Sequence, residues 1–151
     1  MSSKLYAEAK KREGAIAEFL KDVASIPSLS SQEGDVVKFM ADAMKKMGYD
    51  EVVIDGMGNL LGRIGNGPRV IAFDGHCDTV DIGDITLWNK VKPYPSIIKD
   101  GKVYGRGVTD QKGGLTTSIC AIAMLKELGM VPKELTIWVV ASVQEEDCDG
   151  L

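Results

Sequence analysis

At 151 residues, 44% hydrophobic and 26% charged, the chain has the make-up of one globular domain long enough to bury a core. With a net charge of −4, from 18 Lys+Arg against 22 Asp+Glu and neither sign in a long block, nothing is basic enough to point to a nucleic acid or other polyanion as partner. No run of about 18 apolar residues is present, which excludes a transmembrane helix.

The N-terminus lacks an apolar signal core and opens a polar helix instead. Cys77, Cys120 and Cys148 form an odd, unpatterned set, which argues against a disulfide framework and for a reducing cytoplasm. Apolar positions at Leu5, Ala9, Ile16, Phe19, Leu20 and Val23 predict one amphipathic helix over about 4–26, ended by Pro27. Ser30-Ser-Gln-Glu33 has the form of a capping box, the Ser30 hydroxyl bonding a free N–H while Glu33 reaches back. The helix it starts would turn Val36, Val37, Met40, Ala43, Met44 and Met47 inward and stop at Gly48.

From Glu51 the period shortens to β-rich runs, Glu51–Ile54 and Leu60–Ile64, separated by Gly56-Met-Gly-Asn59 and read as a hairpin. It leads into Arg69–Phe73, whose apolar character predicts a buried strand. Residues 81–95 read as a long irregular loop, and Ile97–Tyr104 as a small hairpin around Asp100-Gly101. A glycine-rich segment, Gly105–Gly114, opens a helix carrying Leu115, Ile119, Ile122, Ala123, Leu125 and Leu128 and ending near Gly129. The continuous apolar run Leu135–Val143 predicts a strand buried on both faces. The sum is an α/β fold, a mixed central sheet with helices on both faces. The chain stops at Cys148-Asp-Gly-Leu151, directly after that strand and an acidic cluster, and is expected to be incomplete at its C-terminus.

Chemistry-bearing residues gather at three places. The only histidine, His76, follows the Arg69–Phe73 strand, at the end of a sheet where α/β proteins bind ligands. Asp78, two residues on, lies on the same side of an extended segment and can accept the second imidazole N–H, fixing the tautomer. Taken alone, His76 reads first as an inert surface or core histidine, and it is the carboxylates Asp110, Glu145 and Glu146 that favour a ligand. Asp110 stands between the glycine-rich turn and a helix start, where it is either a helix cap or, with backbone free to approach closely, a ligand. Gly105-Arg-Gly107 lacks the third glycine of a dinucleotide fingerprint, and no phosphate-loop pattern occurs. Glu145-Glu146-Asp147 is either a solvated acidic turn or a division of labour, one carboxylate ligating a metal and its neighbour taking a proton from water that the cation acidifies. Imidazole and carboxylates without thiolates favour zinc, with cobalt or manganese as substitutes. Arg106 is available for a structural ion pair or a substrate carboxylate. A cysteine nucleophile would need a histidine base, and the single His76 is better used elsewhere.

His76-x-Asp78, Gly105-Arg-Gly-x-x-Asp110-x-Lys-Gly-Gly114 and Glu145-Glu146 occur in an order and spacing that resembles the M20 family of co-catalytic metallopeptidases and amidohydrolases, which includes acetylornithine deacetylase, succinyl-diaminopimelate desuccinylase, carboxypeptidase G and aminoacylase. Gln144-Glu-Glu-Asp-Cys-Asp-Gly-Leu151 is also similar to a branch of selenium-metabolism-linked hydrolases. The resemblance implies a zinc-peptidase-like sandwich, with residues 1–151 the N-terminal part of its catalytic domain. By the same resemblance His76 is a terminal ligand of one metal and Asp78 its orienting partner. Asp110 would bridge two metals, Glu145 would be general base and acid, and Glu146 would bind the second metal. A later acidic ligand, a later histidine and the lid domain that mediates homodimerisation are expected beyond residue 151. The implied function is a cytoplasmic hydrolase that cleaves an amide bond of a small peptide or N-acyl amino acid through water activated by two divalent ions. The alternative is a catalytically silent fragment that serves only as a scaffold or binding module, and the 151-residue chain by itself is expected to be inactive.

Overall fold

The computed structural model describes residues 2–148. Met1 and residues 149–151, and with them the chain end on which the expectation of incompleteness rests, lie outside the described residues. In order, the elements are α1 (Ser2–Lys11), α2 (Glu13–Ser25), α3 (Gly34–Lys46), β1 (Glu51–Ile54), β2 (Leu60–Gly65), β3 (Arg69–His76), β4 (Ile97–Lys99), β5 (Lys102–Tyr104), α4 (Gly113–Glu127) and β6 (Leu135–Ser142). The single N-terminal helix expected from periodicity is two helices. They part at Arg12, whose guanidinium turns back to the Glu8 carbonyl and carboxylate and across to Glu127.

Four strands form a mixed sheet in the order β1-β2-β6-β3. β1 and β2 are the expected antiparallel hairpin, β6 runs antiparallel to β2, and β3 runs parallel to β6 with His76 opposite Ser142. A parallel pair needs a crossover, and α4 supplies it. Strand alternation sends Leu60 and Ile64 of β2 and Ile137, Val139 and Ala141 of β6 to one face, where they meet Met40 and Met44 of α3 and Leu115 and Ile119 of α4. Burying each of the larger of these side chains contributes about 1.5–3 kcal/mol. Tyr49 joins the same core, and its hydroxyl donates to the Ile119 carbonyl at 3.0 Å.

Two burial expectations need correction. Arg69–Asp74 of β3 is exposed, with Val70 64% and Phe73 46% accessible, because β3 is an edge strand in this sheet. Within β6, Trp138 and Val140 are only half-buried, since α3 and α4 lie together on the opposite face. Arg63 covers part of Trp138, its guanidinium 6.0 Å from the ring centroid. The β4–β5 hairpin turns at Asp100 and Gly101, both at positive φ as the Asp-Gly pair predicts. No helix among the described residues is long and apolar enough to cross a membrane.

Candidate metal and active site

Parallel pairing of β3 with β6 brings the carboxyl ends of both strands to one rim of the sheet. His76 closes β3 there, and Gln144-Glu145-Glu146 follows β6 two residues beyond Ser142. The crossover helix runs back along the sheet, so the turn before α4 returns to the same rim with Asp110. Two glycines let that turn close. A Cβ at Gly75 would lie 2.5 Å from Gln111 Oε1, and at Gly107, which has φ +75°, one would lie 2.5 Å from the Thr79 methyl.

One ligand atom from each of His76, Asp110 and Glu146 falls within 4.8 Å of the others. His76 Nε2 is 3.1 Å from Asp110 Oδ1 and 3.7 Å from Glu145 Oε2. Its Nδ1 faces the Asp78 carbonyl at 3.1 Å and Asp78 Oδ1 at 3.4 Å. Burial works against the imidazolium. The Asp110 hydrogen bond, the Asp78 carbonyl and the charges of Asp78 and Glu145 outweigh it and hold His76 above its ordinary value. His76 and Asp78 are buried, while Asp110 (77% exposed) and Glu145 (60%) reach toward solvent. Asp110 is thus not the helix cap that its position also allowed: no side chain caps α4, and the Asp110 backbone leaves helical geometry at φ −116°, ψ 103°. No lysine or arginine among the described residues pairs with Asp110, Glu145 or Glu146.

Asp78 is the hub beneath this cluster. Its Oδ2 accepts from the Ser30 hydroxyl at 2.7 Å and the Glu146 backbone N–H at 3.0 Å. Ser30 is therefore not half of a local capping box. Glu33 does reach back, but to the N–H of Ser31 and, across the fold, to that of Gln144. Lys112 is another residue whose role the sequence does not announce. It is fully buried, its ammonium donates to the Ile26 carbonyl at 2.8 Å beyond the end of α2, and burial pushes it down to about 8 against the opposing pull of Cys77 and Asp78. Ser30 and Glu33 read locally as a capping box and Lys112 as one position of the glycine-rich motif, and nothing in either pattern names their distant partners.

Cysteine and arginine chemistry is set by the same surroundings. Burial, reinforced by Glu33 and Asp78, pushes the Cys77 thiol up to about 12, which disables it as a nucleophile. Arg106 makes no ion pair among the described residues and instead stacks over Trp88 of the 81–95 loop, 5.4 Å from the ring centroid. All three cysteines are free.

The model of the family described as Peptidase family M20/M25/M40 matches residues 72–151, more than half of the chain. The chain belongs to the M20 peptidase family. It is 45% identical over 144 residues to the uncharacterized protein YgeY of Escherichia coli K12, covering 95% of this chain and 35% of that one. To the probable succinyl-diaminopimelate desuccinylase of Staphylococcus epidermidis it is 35% identical over 130 residues, 84% of this chain and 32% of the relative. The chain thus spans about a third of the length of these curated relatives. Among solved structures it resembles human carnosine dipeptidase 1, with a TM-score of 0.83 at 23% identity over 97% of this chain and 35% of that one. It also resembles the Bacillus subtilis YXEP protein, described as a dinuclear metal binding peptidase from the M20 family, with a TM-score of 0.67 at 19% identity over 93% and 38% of the two chains. At these identities the two structures speak for the fold.

Proposed function

We propose that this chain carries the principal catalytic residues of a metal-dependent hydrolase that cleaves an amide bond of a small peptide or N-acyl amino acid. The observation that supports it is the convergence of His76, Asp110 and Glu146 within 4.8 Å. Three donors of this kind suit a divalent cation. The carboxylates repel one another, no lysine or arginine among the described residues offsets them, and imidazole with carboxylate oxygen is the ligand chemistry of zinc, cobalt and manganese. His76, Asp110 and Glu146 would hold the metal. When bound, such ions supply Lewis acidity, lowering the pKa of water and polarising a carbonyl.

The protein residues then divide the work. Asp78 orients the His76 ring through Nδ1, leaving Nε2 to face the cluster. Glu145, exposed beside His76, takes a proton from the attacking water and returns it to the departing nitrogen. In the same reading the enzyme works in the cytoplasm as a homodimer. Its substrate is a small molecule, not a nucleic acid or a membrane.

The test is an assay of the full-length polypeptide with zinc or cobalt added, against N-acyl amino acids and dipeptides. Glu145→Gln is expected to keep cation binding and lower turnover by about 10²–10⁴-fold. Undiminished turnover would remove Glu145 from this role, and undiminished cation affinity in His76→Ala would remove the site.

A further inference from the structure

Glu33 has no place in the chemistry above, yet it is a buried acid, 5% exposed, next to the site. Although it stands immediately before α3, its side chain makes no capping bond to that helix. Instead one oxygen, Oε1, accepts the N–H of Ser31 at 3.1 Å and of Gln144, 111 residues away, at 3.0 Å. Both donors belong to non-glycine residues in the left-handed region, Ser31 at φ 67° and Gln144 at φ 61°. Each conformation costs about 1–2 kcal/mol in isolation, so something must hold it. The Gln144 amide closes the arrangement by donating to the Ser31 hydroxyl at 2.9 Å.

The chain neighbours of these two residues tie them to the site. Gln144 precedes Glu145 and Glu146 directly. Ser31 comes after Ser30, whose hydroxyl grips Asp78, and Asp78 in turn accepts the Glu146 N–H. The turn at 28–33 is further tied to the β3 exit by Thr79 N–H donating to the Ser28 carbonyl and by the Ser28 hydroxyl donating to the Cys77 carbonyl.

We propose that Glu33 is a positioning residue of the hydrolytic site: its buried carboxyl holds the Ser31 and Gln144 backbones in their left-handed conformations and thereby aims Glu145 and Glu146 at His76 and Asp110. The proposal rests on the metal-site reading for what is being aimed, and on the hydrogen bonds alone for how. Because one oxygen accepts both bonds, the amide oxygen of glutamine can replace it. Leucine cannot.

The experiment compares Glu33→Gln, Glu33→Leu and His76→Ala in the full-length polypeptide. Cobalt(II) alone is titrated by its visible absorption, and backbone amide exchange is followed without metal. Glu33→Leu is expected to weaken cobalt binding about 10–100-fold and to deprotect the Gln144 and Glu146 amides, while Glu33→Gln restores both to the unsubstituted level. Should Glu33→Leu not fold, Glu33→Asp replaces it, keeping the acid but withdrawing it by one methylene, with the same expectation. Equal impairment in Glu33→Gln, or unchanged amide protection in the disruptive variant, overturns the proposal. If His76→Ala binds cobalt as tightly as the unsubstituted protein, the metal reading fails separately, and amide exchange alone still decides the role of Glu33.

Discussion

The Ser30 hydroxyl and Asp78 Oδ2, 48 residues apart in the chain, are joined by a hydrogen bond of 2.7 Å. Asp78 is wholly buried, and its other oxygen has no hydrogen-bond partner beyond the 3.4 Å approach of His76 Nδ1. Removing the hydroxyl leaves the Glu146 N–H as the sole donor to Oδ2 among the described residues. Ser30→Ala should therefore cost about 1–3 kcal/mol, the penalty for under-satisfying a buried charged acceptor, measured by urea denaturation at neutral pH. A change within experimental error would show that Asp78 is held by other means.

Gly107 allows the Asp110 turn to pass close to Thr79. Its φ of +75° and the 2.5 Å approach that a Cβ would make to the Thr79 methyl both resist a side chain. Gly107→Ala is expected to destabilise the protein by about 2–4 kcal/mol, combining left-handed strain with overpacking. Thermal unfolding checks this, and a wild-type midpoint would mean that the turn relaxes.

A cation held by His76, Asp110 and Glu146 should also stabilise the fold. At a concentration of about 100 times Kd the gain is about 2.7 kcal/mol, provided that the unfolded chain does not bind. Zinc or cobalt should raise the unfolding midpoint, EDTA should reverse the rise, and His76→Ala should abolish it. An equal rise in His76→Ala places the ion elsewhere.

Asp50 supplies a pH-dependent element far from the site. Its carboxylate accepts from Lys126 and from the Gly65 N–H, and these bonds hold it below the usual carboxylate range. A depressed folded-state value contributes stability above the unfolded value near 3.8, and that contribution is lost as pH falls through the lower, folded one. Asp50→Asn should flatten the acid limb of the stability profile while leaving the neighbouring carboxylates to titrate. Identical profiles below about pH 4 in the two proteins would refute this linkage.

Local signals were legible wherever the backbone answers to its own neighbours. The α3 stripe of Val36, Val37, Met40 and Met44 is buried as its spacing predicts, and Gly48 ends that stretch at φ 81°. Arg12 was not legible as a break, and its ion pair with Glu127, 115 residues away, leaves no trace in the local apolar spacing. The exposure of Val70 and Phe73 was not legible either, since apolar composition carries no information on which strands flank β3.

Residue types and order alone determined which groups are chemically competent: one imidazole, carboxylates after glycine-rich or strand segments, and no thiolate cluster. Only the tertiary structure decided that His76, Asp110 and Glu146 meet, because that depends on β3 and β6 pairing parallel and ending at the same rim. It also decided that Ser30 and Glu33 serve Asp78 and Gln144 instead of their own helix. A short polar side chain can satisfy a nearby backbone group or a distant one, and packing, not sequence spacing, selects between them.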